Sequence, residues 1–210
     1  MIRIERKAEP SDFDSKVRRP GLSYLKGLAA EEKPNWSGHG YWRKAKDDMI
    51  NAYGGICAYA CCEISPSSSA EIDHFHPKSR YWREAYEWEN LRLCSSHINK
   101  KKHDSDVLDP FAVRDRTFGI VLATGRMVKL KKYDPDYEAL CDKTVKVLGL
   151  NGHEYVRMRN GILDEYLRGE ITISNLQKRN PFVYSEVQRL HVRQVTTAAP
   201  LTVESLREEI

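Results

Sequence analysis

The stretch EIDHFHPKS, residues 71–79, places an aspartate directly before a histidine. Hydrolysis of a phosphodiester bond requires a divalent cation that balances charge on the phosphate and a base that activates water. Asp73 can give the cation a carboxylate ligand. His74 carries an imidazole with an ordinary pKa of about 6.5, which suits it to accept a proton at neutral pH. The two adjacent residues are therefore predicted to serve as metal ligand and general base.

A second stretch, ENLRLCSSHINKKK at residues 89–102, follows shortly afterwards. Asn99 falls in the first turn of a predicted helix, where its amide oxygen can be a second ligand. One or two protein ligands are sufficient for Mg²⁺, which prefers oxygen and keeps several of its waters. Asn90 is predicted to brace the loop that fixes His74, because an amide both donates and accepts hydrogen bonds.

Basic residues surround both stretches and predict a surface that binds phosphates. Lys102 would lie one turn beyond Asn99 on the same face of the helix. The net charge of +4 and the pI near 8.7 are only weakly basic, so clustering rather than total charge carries this prediction. The predicted nucleic-acid-binding residues are Lys78, Arg80, Arg92, Lys100 and Lys102.

Short strands and one capped helix must position these residues. The apolar runs ICAYACCEI at 56–64 and AEIDHF at 70–75 are predicted strands, separated by a Ser/Pro loop. Alternation along the second strand makes His76 an alternative general base to His74, since residues two apart share a face. After the brief run LRLC, Ser95 or Ser96 can cap the helix that carries Asn99. The predicted local order is strand, loop, strand, helix.

The rest of the chain is predicted to be mainly helical. The stretch 41–53 has a helical apolar face that Gly54 and Gly55 terminate. Thr124-Gly125 would join the strands of a β-hairpin, and Asp134-Pro135 would open a helix that closes at Asn151-Gly152. Two further amphipathic helices are expected in 153–170 and 181–192. The predicted divisions are an N-terminal arm at 1–40, a core with its preceding helix at 41–112, a hairpin and helical lobe at 113–195, and a tail at 196–210.

Length and composition fit a folded globular protein. The 210 residues can form one domain, or a small core with an attached lobe, and 40% of them are apolar. No run approaches the roughly 18 apolar residues of a membrane span, and the start lacks the apolar block of a secretory signal. We therefore expect a cytoplasmic protein without membrane association. Five irregularly spaced cysteines argue against a disulfide framework.

The motifs DHFHP, ENL and NKKK, within residues 56–103, resemble those of the HNH endonucleases. The resemblance implies an α+β protein with a ββα-metal core, flanked by an N-terminal helix and a C-terminal helical lobe with a β-hairpin. It also implies that Asp73 and Asn99 bind one divalent cation, Mg²⁺ or another such as Mn²⁺, that His74 is the general base, and that Asn90 braces the loop. The implied substrate is nucleic acid, with DNA favoured over RNA.

Departures from the family pattern and two competing functions leave three alternatives open. Many HNH proteins hold a structural zinc with two CxxC pairs, which here would be Cys57 with Cys61 or Cys62, and Cys94 with His97. We do not favour zinc, because a structural site usually keeps tight ligand spacing. A non-catalytic zinc-binding nucleic-acid module is nevertheless one alternative function. Another is a nuclease subunit that is active only with an ATPase partner, as in Septu-type anti-phage systems.

Overall fold

The computed structural model describes residues 1–29, 32–65 and 68–197, and no side chains from residue 191 onward. The described residues form seven α-helices and two separate two-stranded antiparallel sheets. The predicted α+β class is therefore confirmed. None of the described helices combines the length and the apolar character needed to cross a membrane. Of the predicted tail at 196–210, all but the first two residues lie outside the described part of the chain.

Contacts between residues divide the chain into two compact units. The motif unit comprises Glu5–Cys57 and Ile64–Asp106, and the C-terminal unit comprises Met1–Ile4, Ala58–Glu63 and Val107–Ile210. These divisions do not coincide with the predicted boundaries at residues 40 and 112. Most of the predicted N-terminal arm belongs to the same unit as the residues that could do chemistry.

A small ββα arrangement forms one part of the motif unit. Strand β1, Ala70–His74, pairs antiparallel with β2, Leu91–Ser95, in a register that sets His74 opposite Leu91. Helix α3, Ser96–Lys102, follows β2 without a loop. The Ser95 side chain accepts a hydrogen bond from the Ile98 N–H at 3.3 Å, which satisfies one of the unpaired amides of the first turn. The predicted Ser95 cap is thus confirmed. The first strand of this pair was predicted, whereas β2 was predicted only as a brief apolar run.

Helical segments from the N-terminal half complete the core of the motif unit. They are α1, Arg19–Lys26, which continues a π-helical turn, and α2, Lys46–Tyr53, which continues a 3₁₀ turn at Tyr41–Ala45. Gly54 ends α2 with a φ of 60°, the left-handed conformation that the sequence predicts. The core is built from Phe13, Val17, Leu25, Trp42, Ala45, Met49, Ile72, Ala85, Tyr86, Trp88, Leu91 and Leu93.

The predicted strand at 56–64 is wrong. Residues 57–62 are all buried, whereas a half-buried strand would alternate between buried and exposed side chains. Gly55 has a φ of 70° and Cys61 a φ of 53°, so the backbone turns at both ends of this stretch. Successive turns direct consecutive side chains inward, and the continuous apolar run therefore reflects a buried turn.

The C-terminal unit contains a β-hairpin and four helices. The hairpin strands are β3, Phe118–Val121, and β4, Arg126–Lys129. The helices are α4, Pro135–Leu148; α5, His153–Leu167; α6, Ile173–Arg179; and α7, Pro181–Thr197.

Local signals predict most of this unit. The Asp134 side chain accepts from the Tyr137 N–H at 3.0 Å, which confirms the predicted cap of α4. Gly149, with a φ of 65°, ends α4 before the predicted Asn151-Gly152. Helix α6 was not predicted; it has only seven residues and is capped by the Thr172 hydroxyl.

Candidate active site

The end of β1 places Asp73 and His74 side by side with both side chains largely inaccessible. Asp73 is 3% exposed and His74 is 6% exposed. Successive residues of a strand point to opposite faces of the sheet. The carboxylate of Asp73 contacts α3, while the imidazole of His74 contacts the loop between the strands. The carboxylate of Asp73 and the imidazole of His74 therefore have different surroundings, although the two residues are adjacent in the chain.

Lys102, the last residue of α3, is the partner of Asp73. Its Nζ donates to Asp73 Oδ1 at 3.1 Å and to the backbone oxygen of His74 at 2.8 Å. The Lys102 side chain is fully buried, so its ammonium compensates a buried carboxylate rather than meeting a ligand in solvent. In this arrangement the Lys102 ammonium contacts Asp73, and its predicted contact with a substrate phosphate stays a prediction.

A second contact also joins α3 to β1, between residues that precede Lys102 and Asp73 in the chain. Asn99 Nδ2 donates to Glu71 Oε2 at 2.7 Å. Because a carboxylate can only accept, the nitrogen of the Asn99 amide faces Glu71 and its oxygen is directed elsewhere. Glu71 was missed in the sequence, although its position two residues before Asp73 places both on one face of β1. Glu71–Asn99 and Asp73–Lys102 are therefore two parallel connections between β1 and α3.

His74 is held in one tautomer by the loop between the strands. Its Nε2 lies 3.0 Å from the backbone oxygen of Ala85. A carbonyl oxygen can only accept, so Nε2 carries the hydrogen and Nδ1 keeps the lone pair. Within the described part of the chain, Nδ1 has no hydrogen-bond partner. The ring also meets Trp42 edge to face, with centroids 4.7 Å apart.

Burial of the ring, followed by the charge of Lys78, lowers the pKa of His74 to about 3, against a smaller opposing effect of the Ala85 carbonyl. The imidazole is consequently neutral at physiological pH. A neutral imidazole with its lone pair on Nδ1 can accept a proton.

Asn90 connects the two sides of the loop that follows His74. Its Oδ1 accepts from the His76 N–H at 2.7 Å, and its Nδ2 donates to the carbonyls of His76 at 3.1 Å and Glu84 at 3.2 Å. Its backbone oxygen accepts from the Phe75 N–H at 2.9 Å. Asn90 is buried, and these contacts use both the donor and the acceptor capacity of the amide.

His76, the alternative base, has different surroundings. Strand β1 ends at His74, so the alternation that would place the two histidines on one face does not continue. The His76 ring is about half exposed, with Nδ1 bonded to the carboxylate of Glu84. Its ring centroid also lies 5.2 Å from that of Tyr81.

The remaining predicted phosphate ligands differ in accessibility. Arg92 is 1% exposed and donates to the backbone oxygens of Glu89 and Leu91, and its predicted phosphate contact stays a prediction. Arg80 is half exposed, and its guanidinium contacts the carboxylate of Asp106 at 2.7 Å. Lys100 is exposed on α3, and Lys78 is half-buried. Lys78 and Lys100 thus remain as candidates without a carboxylate partner among the described residues.

The candidate zinc ligands are mostly thiols in buried positions. All five cysteines are buried and reduced, whereas His97 is exposed. Burial, assisted by the charge of Asp73, raises the pKa of Cys94 well above its usual range, so this thiol is protonated at neutral pH. Among residues 1–29, 32–65 and 68–197, no three His, Cys, Asp or Glu side chains are grouped as a metal site. Zinc binding by Cys57, Cys61 or Cys62, Cys94 and His97 remains an alternative.

The site is a ββα centre of the nuclease type. It consists of two antiparallel strands, a helix that follows directly, and a buried Asp-His pair at the end of the first strand. Residues 57–107, about a quarter of the chain, match the family model described as HNH endonuclease. The match supports the resemblance of the DHFHP, ENL and NKKK motifs to the HNH endonucleases. The comparison with curated proteins gave no match. The family assignment indicates nuclease activity on nucleic acid and, as in HNH nucleases generally, the use of a divalent metal.

Proposed function

We propose that this protein is a metal-dependent endonuclease that hydrolyses phosphodiester bonds in nucleic acid, with His74 as the general base. The observation that carries the proposal is the fixed tautomer of His74. Its Nε2 lies 3.0 Å from the Ala85 carbonyl oxygen, and its Nδ1 therefore keeps the lone pair. Asp73, the proposed metal ligand, is the preceding residue in the chain. The resemblance of the DHFHP, ENL and NKKK motifs to HNH endonucleases favours DNA over RNA as the substrate.

The residues of this site fit a hard divalent cation. Asp73 and Asn99 offer a carboxylate and an amide oxygen, the ligand types that Mg²⁺ and Mn²⁺ prefer. The Asp73 carboxylate accepts a hydrogen bond from Lys102 Nζ at 3.1 Å, which fixes the orientation of this ligand. The contact with Glu71 leaves the Asn99 oxygen, rather than its nitrogen, available to a cation. Asp73 and Asn99 would hold the ion, which when bound stabilises negative charge on the phosphate.

The other residues of the site have supporting roles in this proposal. His74 accepts the proton of the attacking water at Nδ1, while the Ala85 carbonyl keeps the ring oriented. Asn90 holds the backbone just after His74 and so limits movement of the base. Lys102 holds the carboxylate of Asp73 in place through their buried contact at 3.1 Å. Orientation of this kind is where an enzyme scaffold contributes most to the rate of hydrolysis.

The experiment is a cleavage assay on supercoiled plasmid, linear duplex, single-stranded DNA and RNA, in Mg²⁺ or in EDTA. We expect Mg²⁺-dependent cleavage by the wild type and loss of at least about a hundredfold in rate for His74→Ala, the usual contribution of a general base. His76→Ala is the matched control, and it should retain most of the activity. Cleavage that persists in EDTA, or that survives His74→Ala, would contradict the proposal.

Metal analysis of the same preparation addresses the two alternative functions. One tightly held zinc without Mg²⁺-dependent cleavage would support a non-catalytic nucleic-acid module. If the isolated protein cleaves feebly and an added ATPase partner increases the rate, the result would support the alternative of a subunit that acts within a larger complex.

A further inference from the structure

Trp42 brings a segment that precedes the HNH match into the candidate active site. It lies in the 3₁₀ turn Tyr41–Ala45 and is 5% exposed. Its ring packs against the His74 imidazole at an interplanar angle of 83°. Residues adjacent to Trp42 are therefore close to the proposed general base, although the family match begins only at residue 57.

Two cations lie on the Trp42 ring. The guanidinium carbon of Arg43 is 5.9 Å from the ring centroid, and the Nζ of Lys78 is 5.6 Å from it. Arg43 comes from the segment before the match and Lys78 from the loop after β1. A Cβ at Gly40 would come within 2.9 Å of Arg43 Nη1, so the guanidinium lies against the glycine backbone. The two charges thus approach one aromatic ring from separate parts of the motif unit.

Neither side chain has a hydrogen bond or an ion pair with another described residue. This distinguishes Lys78 from other partly or fully buried cations of the same unit. Lys16 pairs with Asp48, Arg18 with Glu9, and Lys102 with Asp73. A partly desolvated ammonium that forms no hydrogen bond or ion pair is costly, so the position of Lys78 indicates an anionic partner in direct contact that the described residues do not supply.

The electrostatics of Lys78 agree with this geometry. Burial lowers its pKa, and the nearby charge of Arg43 adds to that effect, whereas Asp104 and Asp73 act in the opposite direction. A phosphate bound between Lys78 and Arg43 would stabilise the charged form of the buried ammonium. It would also offset the repulsion between the two cations. Guanidinium and ammonium groups donate well to phosphate oxygens.

We propose that Arg43 and Lys78, both supported by Trp42, bind a backbone phosphate of the substrate next to the His74 imidazole. This inference rests on the proposed function and adds to it a phosphate site that is partly built by residues outside the HNH segment. Its purpose is to place the phosphodiester within reach of the base, which is how a positioned cation assists hydrolysis.

The test is the salt dependence of nucleic-acid binding, measured by fluorescence anisotropy with a labelled DNA duplex in EDTA. The slope of log K against log salt reports how many phosphates the protein contacts. Arg43→Gln and Lys78→Met are each expected to reduce that slope by about one and to weaken binding uniformly across sequences. Arg43→Lys and Lys78→Arg should retain it. Lys26→Met, an exposed lysine at the end of α1, is the matched control and should leave the slope unchanged.

Absence of binding by the wild type, or an unchanged slope in both Arg43→Gln and Lys78→Met, would overturn the phosphate site. Arg43 is exposed, so Arg43→Gln does not depend on a buried side chain for folding. Failure of the nuclease proposal has a different signature. In that case the slopes fall as expected, while no substrate is cleaved in Mg²⁺.

Discussion

The replacement Lys102→Met tests whether the buried ammonium holds the site together. The Lys102 and Asp73 side chains are 0% and 3% exposed, and the ammonium donates to both Asp73 and the His74 backbone. Methionine preserves much of the volume but leaves the carboxylate without this cation. Removal of one partner from a buried ion pair typically costs about 3–5 kcal/mol. We expect a loss of that size in the free energy of unfolding of the motif unit.

Tryptophan fluorescence during urea or thermal unfolding measures this loss selectively. All four tryptophans, Trp36, Trp42, Trp82 and Trp88, lie in the motif unit. At about 2–4 °C per kcal/mol for a chain of this size, the midpoint of the fluorescence transition should fall by about 10 °C. Lys101→Met, an exposed neighbour, should change stability by no more than about 0.5 kcal/mol.

A double variant separates lost charge compensation from lost packing. If the uncompensated carboxylate causes the instability, adding Asp73→Asn to Lys102→Met replaces the charge with a neutral amide and restores at least about 1 kcal/mol. A loss below about 1 kcal/mol for Lys102→Met alone would refute the assignment of Lys102 as a buried counter-ion. So would a double variant that is less stable than the single one.

Three further predictions concern other contacts of the motif unit. Asn90→Asp turns the group that donates to the His76 and Glu84 carbonyls into an acceptor, and it should destabilise the motif unit by at least about 2 kcal/mol in the same fluorescence assay. Glu71→Ala removes the partner of Asn99 and should raise the Mg²⁺ concentration for half-maximal binding about tenfold, measured by titration calorimetry on His74→Ala protein. Glu71→Gln, which keeps an acceptor, should restore most of that affinity, and equal effects of the two variants would argue against a positioning role. Because burial raises the pKa of Cys94, its alkylation by iodoacetamide at pH 7.5 should be undetectable in the native protein and rapid in urea, as peptide mass spectrometry would show.

Features that depend on neighbouring residues could be predicted from the sequence. Ser95 and Asp134 cap helices and Gly54 ends one, because each acts within a turn of its own position. Strand β1 and the adjacent Asp73 and His74 follow from a local apolar pattern with a terminal polar pair. The stretch 56–64 could not be distinguished from a strand, because an apolar run alone does not show whether its backbone turns.

Features that depend on distant contacts could not be predicted in this way. Lys102 belongs to a run of three lysines, which on a helix usually faces solvent, and its burial follows only from how α3 packs along β1. Arg92 has an apolar residue on each side in β2, yet alternation gave no indication that both faces of this strand are covered. The Glu71–Asn99 contact similarly joins residues 28 positions apart in the chain.

The ammonium of Lys102 has a consequence for how the protein is made and stored. Asp73 receives a positive charge from its own chain as soon as α3 packs on β1. Assembly of the motif unit is therefore independent of magnesium supply, unlike that of small domains whose folding is driven by metal uptake. Protein purified in a chelator should therefore keep its native melting midpoint, and under the proposed function a divalent ion added afterwards should be enough to start cleavage.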